Sequence, residues 1–86
     1  MKYRAELKPK AIKDLKNIPK ADGKRIVEKL KLLEDNLQGD VKKLTNHTPE
    51  YRMRVGDWRI LFEVDEEKII VYRIHHRRES YNRRWP

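Results

Sequence analysis

Cysteine is absent from all 86 residues, which excludes disulfides and thiolate metal sites. Long apolar runs are absent too. None approaches the roughly 18 residues of a membrane-spanning helix, and no signal peptide opens the chain. A cytoplasmic protein with no membrane contact is therefore expected. Acids are in deficit, 14 against 22 lysines and arginines, for a net charge of +8. That excess points to an anionic partner such as nucleic acid, an acidic protein or a membrane surface, and a basic pI alone serves all three. Charged residues make up 42% of the chain and apolar ones 37%, close to compositions that do not fold. Whether this chain folds therefore turns on how its apolar residues are spaced.

They are patterned throughout, and the length implies a single domain, residues 1–86. Met1, Tyr3, Ala5 and Leu7 alternate with Lys2, Arg4, Glu6 and Lys8, the pattern of a short half-buried strand. Pro9 suits the first turn of a helix, where its missing N–H costs nothing. Ala11, Ile12, Leu15 and Ile18 follow at helical spacing until Pro19 interrupts. Ile26, Leu30, Leu33 and Leu37 then fall on one stripe of a longer helix, widened by Val27, with Asp22 as N-cap and Gly39 as stop. Two amphipathic helices so closely joined form a hairpin that needs a surface to cover.

The segment YRMRVGDWRILFEV supplies that surface. Gly56-Asp57 has glycine where a two-residue type II′ turn requires it. That turn pairs Val55 with Trp58, Met53 with Ile60 and Tyr51 with Phe62 on one apolar face. On the other face Arg54 sits opposite Arg59, with Arg52 two residues along. In KIIVYRIHHRR the alternation places Ile70, Tyr72 and Ile74 on one side and Arg73, His75 and Arg77 on the other. The expected class is α+β: an N-terminal strand, a helical hairpin, then a C-terminal three-stranded meander, as one antiparallel sheet packed against two helices.

Like charges directly opposite on a sheet destabilise it by about 0.2–1 kcal/mol per pair. A face that stacks Arg52, Arg54, Arg59, Arg73 and Arg77 with only Glu63 nearby is therefore expected to have a use. Arginine dominates this face although lysine dominates the helices. Its planar fork grips phosphate, so the pattern reads as a groove for a phosphate backbone, contacted also by Arg73 and Arg78. Cleaving RNA without metal requires a base for the 2′-hydroxyl, cations for the phosphorane and an acid for the leaving 5′-oxygen. Arginine fits the second role. His75 and His76 are candidates for acid or base, though adjacent strand residues face opposite ways and at most one lines the groove. Tyr81 is placed to stack on a base or position the phosphate, and Trp85 to pin the chain end to the sheet. His47 lies too far from the histidine pair to suggest a metal site, and none is expected.

The element order, with YRMRVGDWRILFEV followed by VYRIHHRRESY, resembles the RelE toxins of bacterial and archaeal toxin–antitoxin pairs over nearly the whole chain. The most specific parts are Y-R-x-R-V-G-D-x-R-I and H-R-R-x-x-Y. The resemblance implies a RelE/ParE-like fold and a ribosome-dependent endoribonuclease. Such an enzyme needs no cofactor and cuts mRNA in the ribosomal A site by attack of the 2′-hydroxyl on the adjacent phosphate. It implies a RelB-like antitoxin with an acidic contact segment, and binding to operator DNA as the toxin–antitoxin complex. By position, the family's basic residues before the turn fall on Arg52 and Arg54. Its arginine after the turn falls on Arg59, its arginine past the last strand on Arg77, and its C-terminal tyrosine on Tyr81. Members with lysine at the first two positions have one proposed as general base. Arginine, with a pKa above about 12, is a poor base, which turns attention to His75 and His76. A glycine commonly precedes H-R-R, and here that position is His75. The related ParE toxins share the fold, inhibit DNA gyrase and lack this basic set. A non-enzymatic basic nucleic-acid-binding module is a third reading.

Overall fold

The computed structural model describes residues 2–44 and 48–77. Its elements are β1 (Arg4–Leu7), α1 (Pro9–Lys16), α2 (Lys20–Leu33), β2 (Asp40–Lys43), β3 (Tyr51–Val55), β4 (Trp58–Asp65) and β5 (Lys68–His76). One five-stranded sheet runs in the order β1-β5-β4-β3-β2. The helices and sheet enclose a single core. Ile26, Leu30 and Leu33 of α2, with Ala11 of α1 and Ile18, meet Met53, Val55, Ile60, Phe62, Ile69, Val71 and Ile74 of the sheet.

The β3–β4 hairpin has the register its turn dictates. Val55 pairs with Trp58, Arg54 with Arg59, Met53 with Ile60 and Tyr51 with Phe62. Gly56 adopts φ 58°, which strains any other residue, and Arg25 Nη1 lies 3.4 Å from where a Cβ would stand. Tyr51 and Phe62 stack with centroids 5.5 Å apart on the core face.

Elsewhere the structure departs from the sequence expectations. The sheet is mixed rather than antiparallel, because β1 pairs parallel with β5, Ala5 against Ile69 and Leu7 against Val71. β2 is an added edge strand, its Val41 opposite Met53. α2 begins at Lys20 with Pro19 as its N-cap, so Asp22 is not the cap. It ends at Leu33, and Asn36 and Leu37 take φ of 65° and 58° in the turn that follows. Gly39 (φ 134°) therefore serves the entry to β2 rather than the helix stop. Ile12 and Val27 remain exposed, outside the apolar stripes assigned to them.

The largest change lies in β5. Leu61 pairs with Arg73 but Phe62 with Val71, so Tyr72 is the extra residue of a bulge. The bulge shifts the phase of the strand. Ile69, Val71 and Ile74 reach the core, whereas Ile70 and Tyr72 do not. It forms where β1 gives out. Lys8 N–H, at the start of α1, donates to Val71 O at 2.8 Å. One turn later Asp14 takes over the open edge of β5, accepting from Ile74 N–H at 3.0 Å and from Arg73 Nε at 2.8 Å and Nη2 at 3.2 Å. At the outer edge of β1, Glu34 acts similarly, accepting Ala5 N–H at 2.8 Å.

Burial alone would raise the pKa of Asp14. The hydrogen bonds from Arg73 and Ile74, with the charge of Arg73, outweigh it and hold the carboxyl below its ordinary 3.8. The stabilisation is complete above that unfolded value and is lost as pH falls through the lower folded one. Replacing Asp14 by alanine is expected to cost about 2 kcal/mol by urea unfolding at neutral pH. Asp14→Asn is expected to flatten the acid-side fall in stability below about pH 4.

Candidate functional site

Residues directly opposite in an antiparallel pair share a face. The pairings Asp40–Arg54, Arg54–Arg59 and Arg59–His75 thus draw one row across four strands, and Lys42–Arg52–Leu61–Arg73 draws the next. Both rows lie on the face away from the core. The two-residue turn makes Val55–Trp58 a hydrogen-bonded pair and Arg54–Arg59 the closer, non-bonded kind, with Cβ atoms roughly 4.5–5.5 Å apart. Arg77 joins from the end of β5. Its N–H donates to Asp57 O at 2.8 Å, and its Nη1 stands 3.9 Å from Asp57 Oδ1.

Together Arg54, Gly56, Asp57, Arg59 and Arg77 line a cleft of about 200 Å³ at the hairpin turn. Three guanidiniums face one carboxylate there. Arg59 Nε is buried with no hydrogen-bond partner among the described residues, a donor held ready in a cationic pocket. Arg25 of α2 brings a fourth guanidinium to the turn. A larger hollow of about 520 Å³ lies at the far end of β4. There Asp65, Glu66 and Glu67 offset Lys2, Arg4 and Lys68, so it lacks the net positive charge of the arginine cleft.

The structure sorts the sequence candidates. Arg54, Arg59 and Arg77 converge on the cleft. Arg52 is not among the residues that line it, and is 7% exposed and paired with Leu61. The Arg73 guanidinium is engaged by Asp14 at the sheet edge. The histidines part as strand geometry requires. His75 lies in the arginine row but is 1% exposed. His76 goes to the core side, where it meets Trp58 edge-on at 5.0 Å. Trp58 Nε1–H donates in turn to Asp22 Oδ2 at 3.2 Å, tying the hairpin to α2. Tyr72, read as an apolar-face residue, instead donates its hydroxyl to Glu63 Oε2 at 3.2 Å. Tyr81, Arg78, Trp85 and His47 lie outside the described residues.

Two acids escaped the sequence reading. Asp57 looked like turn chemistry alone, although its place between two arginine-bearing strands was a signal. Asp14 sits 59 residues from Arg73 in the chain, and nothing local announces the pair.

The chain matches the family model described as the ParE toxin of the type II toxin–antitoxin system parDE, over residues 5–81. It is 38% identical over 78 residues to the toxin RelE3 of Methanocaldococcus jannaschii, spanning 83% of this chain and 86% of that one. Among solved structures it resembles a chain of the RelB–RelE antitoxin–toxin complex of Methanococcus jannaschii. That match has a TM-score of 0.76 and 33% identity, and covers 90% of this chain and 95% of the other. A chain of the archaeal RelE–RelB complex of Pyrococcus horikoshii OT3 is similar with a TM-score of 0.73 and 29% identity, over 90% and 97%.

Arg59 stands in register between Arg54 and His75 with no acid directly opposite, whereas Arg54 has Asp40 of β2 on its other side. Arg59→Thr is expected to raise stability by about 0.2–1 kcal/mol in low salt. The gain should shrink in molar salt as screening removes the repulsion, which paired thermal unfolding curves would show.

Proposed function

The chain belongs to the ParE toxin family of type II toxin–antitoxin systems and has relatives named RelE toxins, and we propose that it is a ribosome-dependent endoribonuclease that cuts mRNA in the A site. The observation that carries this reading is the convergence of Arg54, Arg59 and Arg77 on one cleft. A sheet accepts a repulsive arginine pair where an anion is to be held between its members.

The cleft suits a scissile phosphate. Arg54 and Arg59 grip its non-bridging oxygens from adjacent strands, and Arg77 closes the third side from the end of β5. As the 2′-oxygen attacks, negative charge grows on those oxygens, and fixed guanidiniums stabilise that charge more than the ground state. Arginine stays protonated throughout and serves as electrostatic clamp rather than proton carrier.

The net charge of +8 supports two further partners within this reading. One is a RelB-like antitoxin with an acidic contact segment, in line with the RelB–RelE complexes that the fold resembles. The other is the ribosome, whose RNA presents the message. Operator DNA is bound only by the toxin–antitoxin complex, and the site of action is the cytoplasm.

The test adds the purified protein to a translating extract and maps mRNA 5′ ends. Cuts within codons at the A site are expected, slowed about 100-fold or more in Arg59→Ala and Arg77→Ala proteins that unfold at the wild-type temperature. The name of the matching family model keeps a second outcome in view. Intact message with blocked gyrase supercoiling would replace the nuclease reading by gyrase inhibition. Salt-sensitive RNA or DNA binding with neither activity would mark a simple binding module.

A further inference from the structure

Attack by the 2′-hydroxyl needs a proton acceptor with a lone pair at the working pH, placed in the cleft. The three arginines have none to offer. His75 is 1% exposed. His76 is on the core side against Trp58. Tyr72 lies up the strand on Glu63, its hydroxyl pKa raised by burial first and then by the Glu63 charge. Among the described residues one titratable group other than arginine lines the cleft, the carboxylate of Asp57.

We infer that Asp57 is the general base of the cleavage reaction, an assignment that rests on the nuclease reading above. The turn makes Asp57 suitable in three ways. Gly56, at φ 58°, sets the hairpin corner and brings Asp57 to the mouth of the cleft. The side chain is 64% exposed, so an incoming hydroxyl reaches it. Arg77 anchors the residue through its N–H on the Asp57 carbonyl (2.8 Å) and its Nη1 near Oδ1 (3.9 Å). No hydrogen bond among the described residues occupies Oδ2, which leaves that oxygen for substrate. The other charged side chains lining the cleft are Arg54 from β3, Arg59 from β4 and Arg77 beyond β5, and Arg25 of α2 stands beside Gly56. The three arginines that line the cleft outweigh the carboxylate's repulsion of the phosphate.

In the step itself, the O2′–P bond forms as the P–O5′ bond breaks. The O2′ proton passes to Asp57 Oδ2, and the leaving O5′ takes a proton from solvent. Asp57 then returns its proton to water. The products are a 2′,3′-cyclic phosphate and a 5′-hydroxyl end, with atoms and charge balanced.

The experiment measures single-turnover cleavage on purified, mRNA-programmed ribosomes between pH 6 and 8, for wild type, Asp57→Asn and Asp57→Glu. Wild type is expected to be nearly flat in pH. Asp57→Asn is expected to be about 100-fold slower, with an unchanged half-saturating ribosome concentration. Its residual rate should climb about tenfold per pH unit, because hydroxide replaces the missing base. Asp57→Glu should recover at least tenfold over the asparagine variant. Asparagine activity within threefold of wild type overturns the assignment. So does a slow variant whose rate stays flat in pH, which marks a structural role at the turn. If wild type itself leaves the message uncut, the nuclease reading falls and this one with it; a cutting wild type with an indifferent Asp57 leaves that reading standing.

Discussion

The contact between Asp14 and the last strand governs where the site's residues end up. β1 covers the edge of β5 only as far as the Leu7–Val71 pair, and an uncovered edge would expose strand N–H groups to water or to another chain. The Asp14 carboxylate fills that gap from α1 by receiving both the Ile74 N–H and the Arg73 guanidinium. Its grip, beside the Tyr72 bulge, sets the phase of everything beyond it. His75 is thereby turned toward Arg59, His76 toward Trp58, and Arg77 arrives at Asp57. Without the bulge, strict alternation would have put Tyr72 and Ile74 on the same face. The repulsive row and the cleft both depend on an ion pair that takes no part in either.

A second constraint holds the cations together. The apolar residues of β3 and β4 bind the hairpin to one register, since a slip of one residue would exchange Met53, Val55, Ile60 and Phe62 for arginines and glutamate in the core. Burial of those side chains, about 1.5–3 kcal/mol each, far exceeds the repulsion between Arg54 and Arg59. The fold therefore imposes an alignment that the charges themselves resist. Local conflict of this kind, inside an otherwise consistent pattern, is what a functional site looks like energetically.

The parts of the molecule that could be read from sequence are those written in short-range chemistry. Gly56-Asp57 specified the turn, and the turn specified every pair from Val55–Trp58 to Tyr51–Phe62, including the opposed arginines. Pro9 marked the start of α1, whereas Pro19, read as the interruption after the first helix, is the N-cap of α2 in place of Asp22. What stayed hidden depends on distant partners. β2 reads as DVKK, with one apolar residue, and becomes a strand because β3 offers it an edge. The β5 bulge and the Asp14–Arg73 pair beside it join elements far apart in the chain, and no local pattern marks either. Arg52 and Arg54 are equivalent in the pattern, and only the packing on the outer face distinguishes the buried one from the exposed one.

Arginine at both positions opposite the turn has a chemical consequence. A lysine ammonium can lose its proton when its environment depresses its pKa, so one side chain can act as clamp and as base. A guanidinium cannot, and a site built from Arg54, Arg59 and Arg77 holds a fixed positive charge at every pH the protein experiences. Charge stabilisation and proton transfer are then divided between different residues. The division favours a proton acceptor close enough to the clamp to reach the same phosphodiester and exposed enough to exchange its proton with water. Among the described residues the hairpin corner meets both conditions, where the chain reverses between the two arginine-bearing strands and must leave the sheet for solvent.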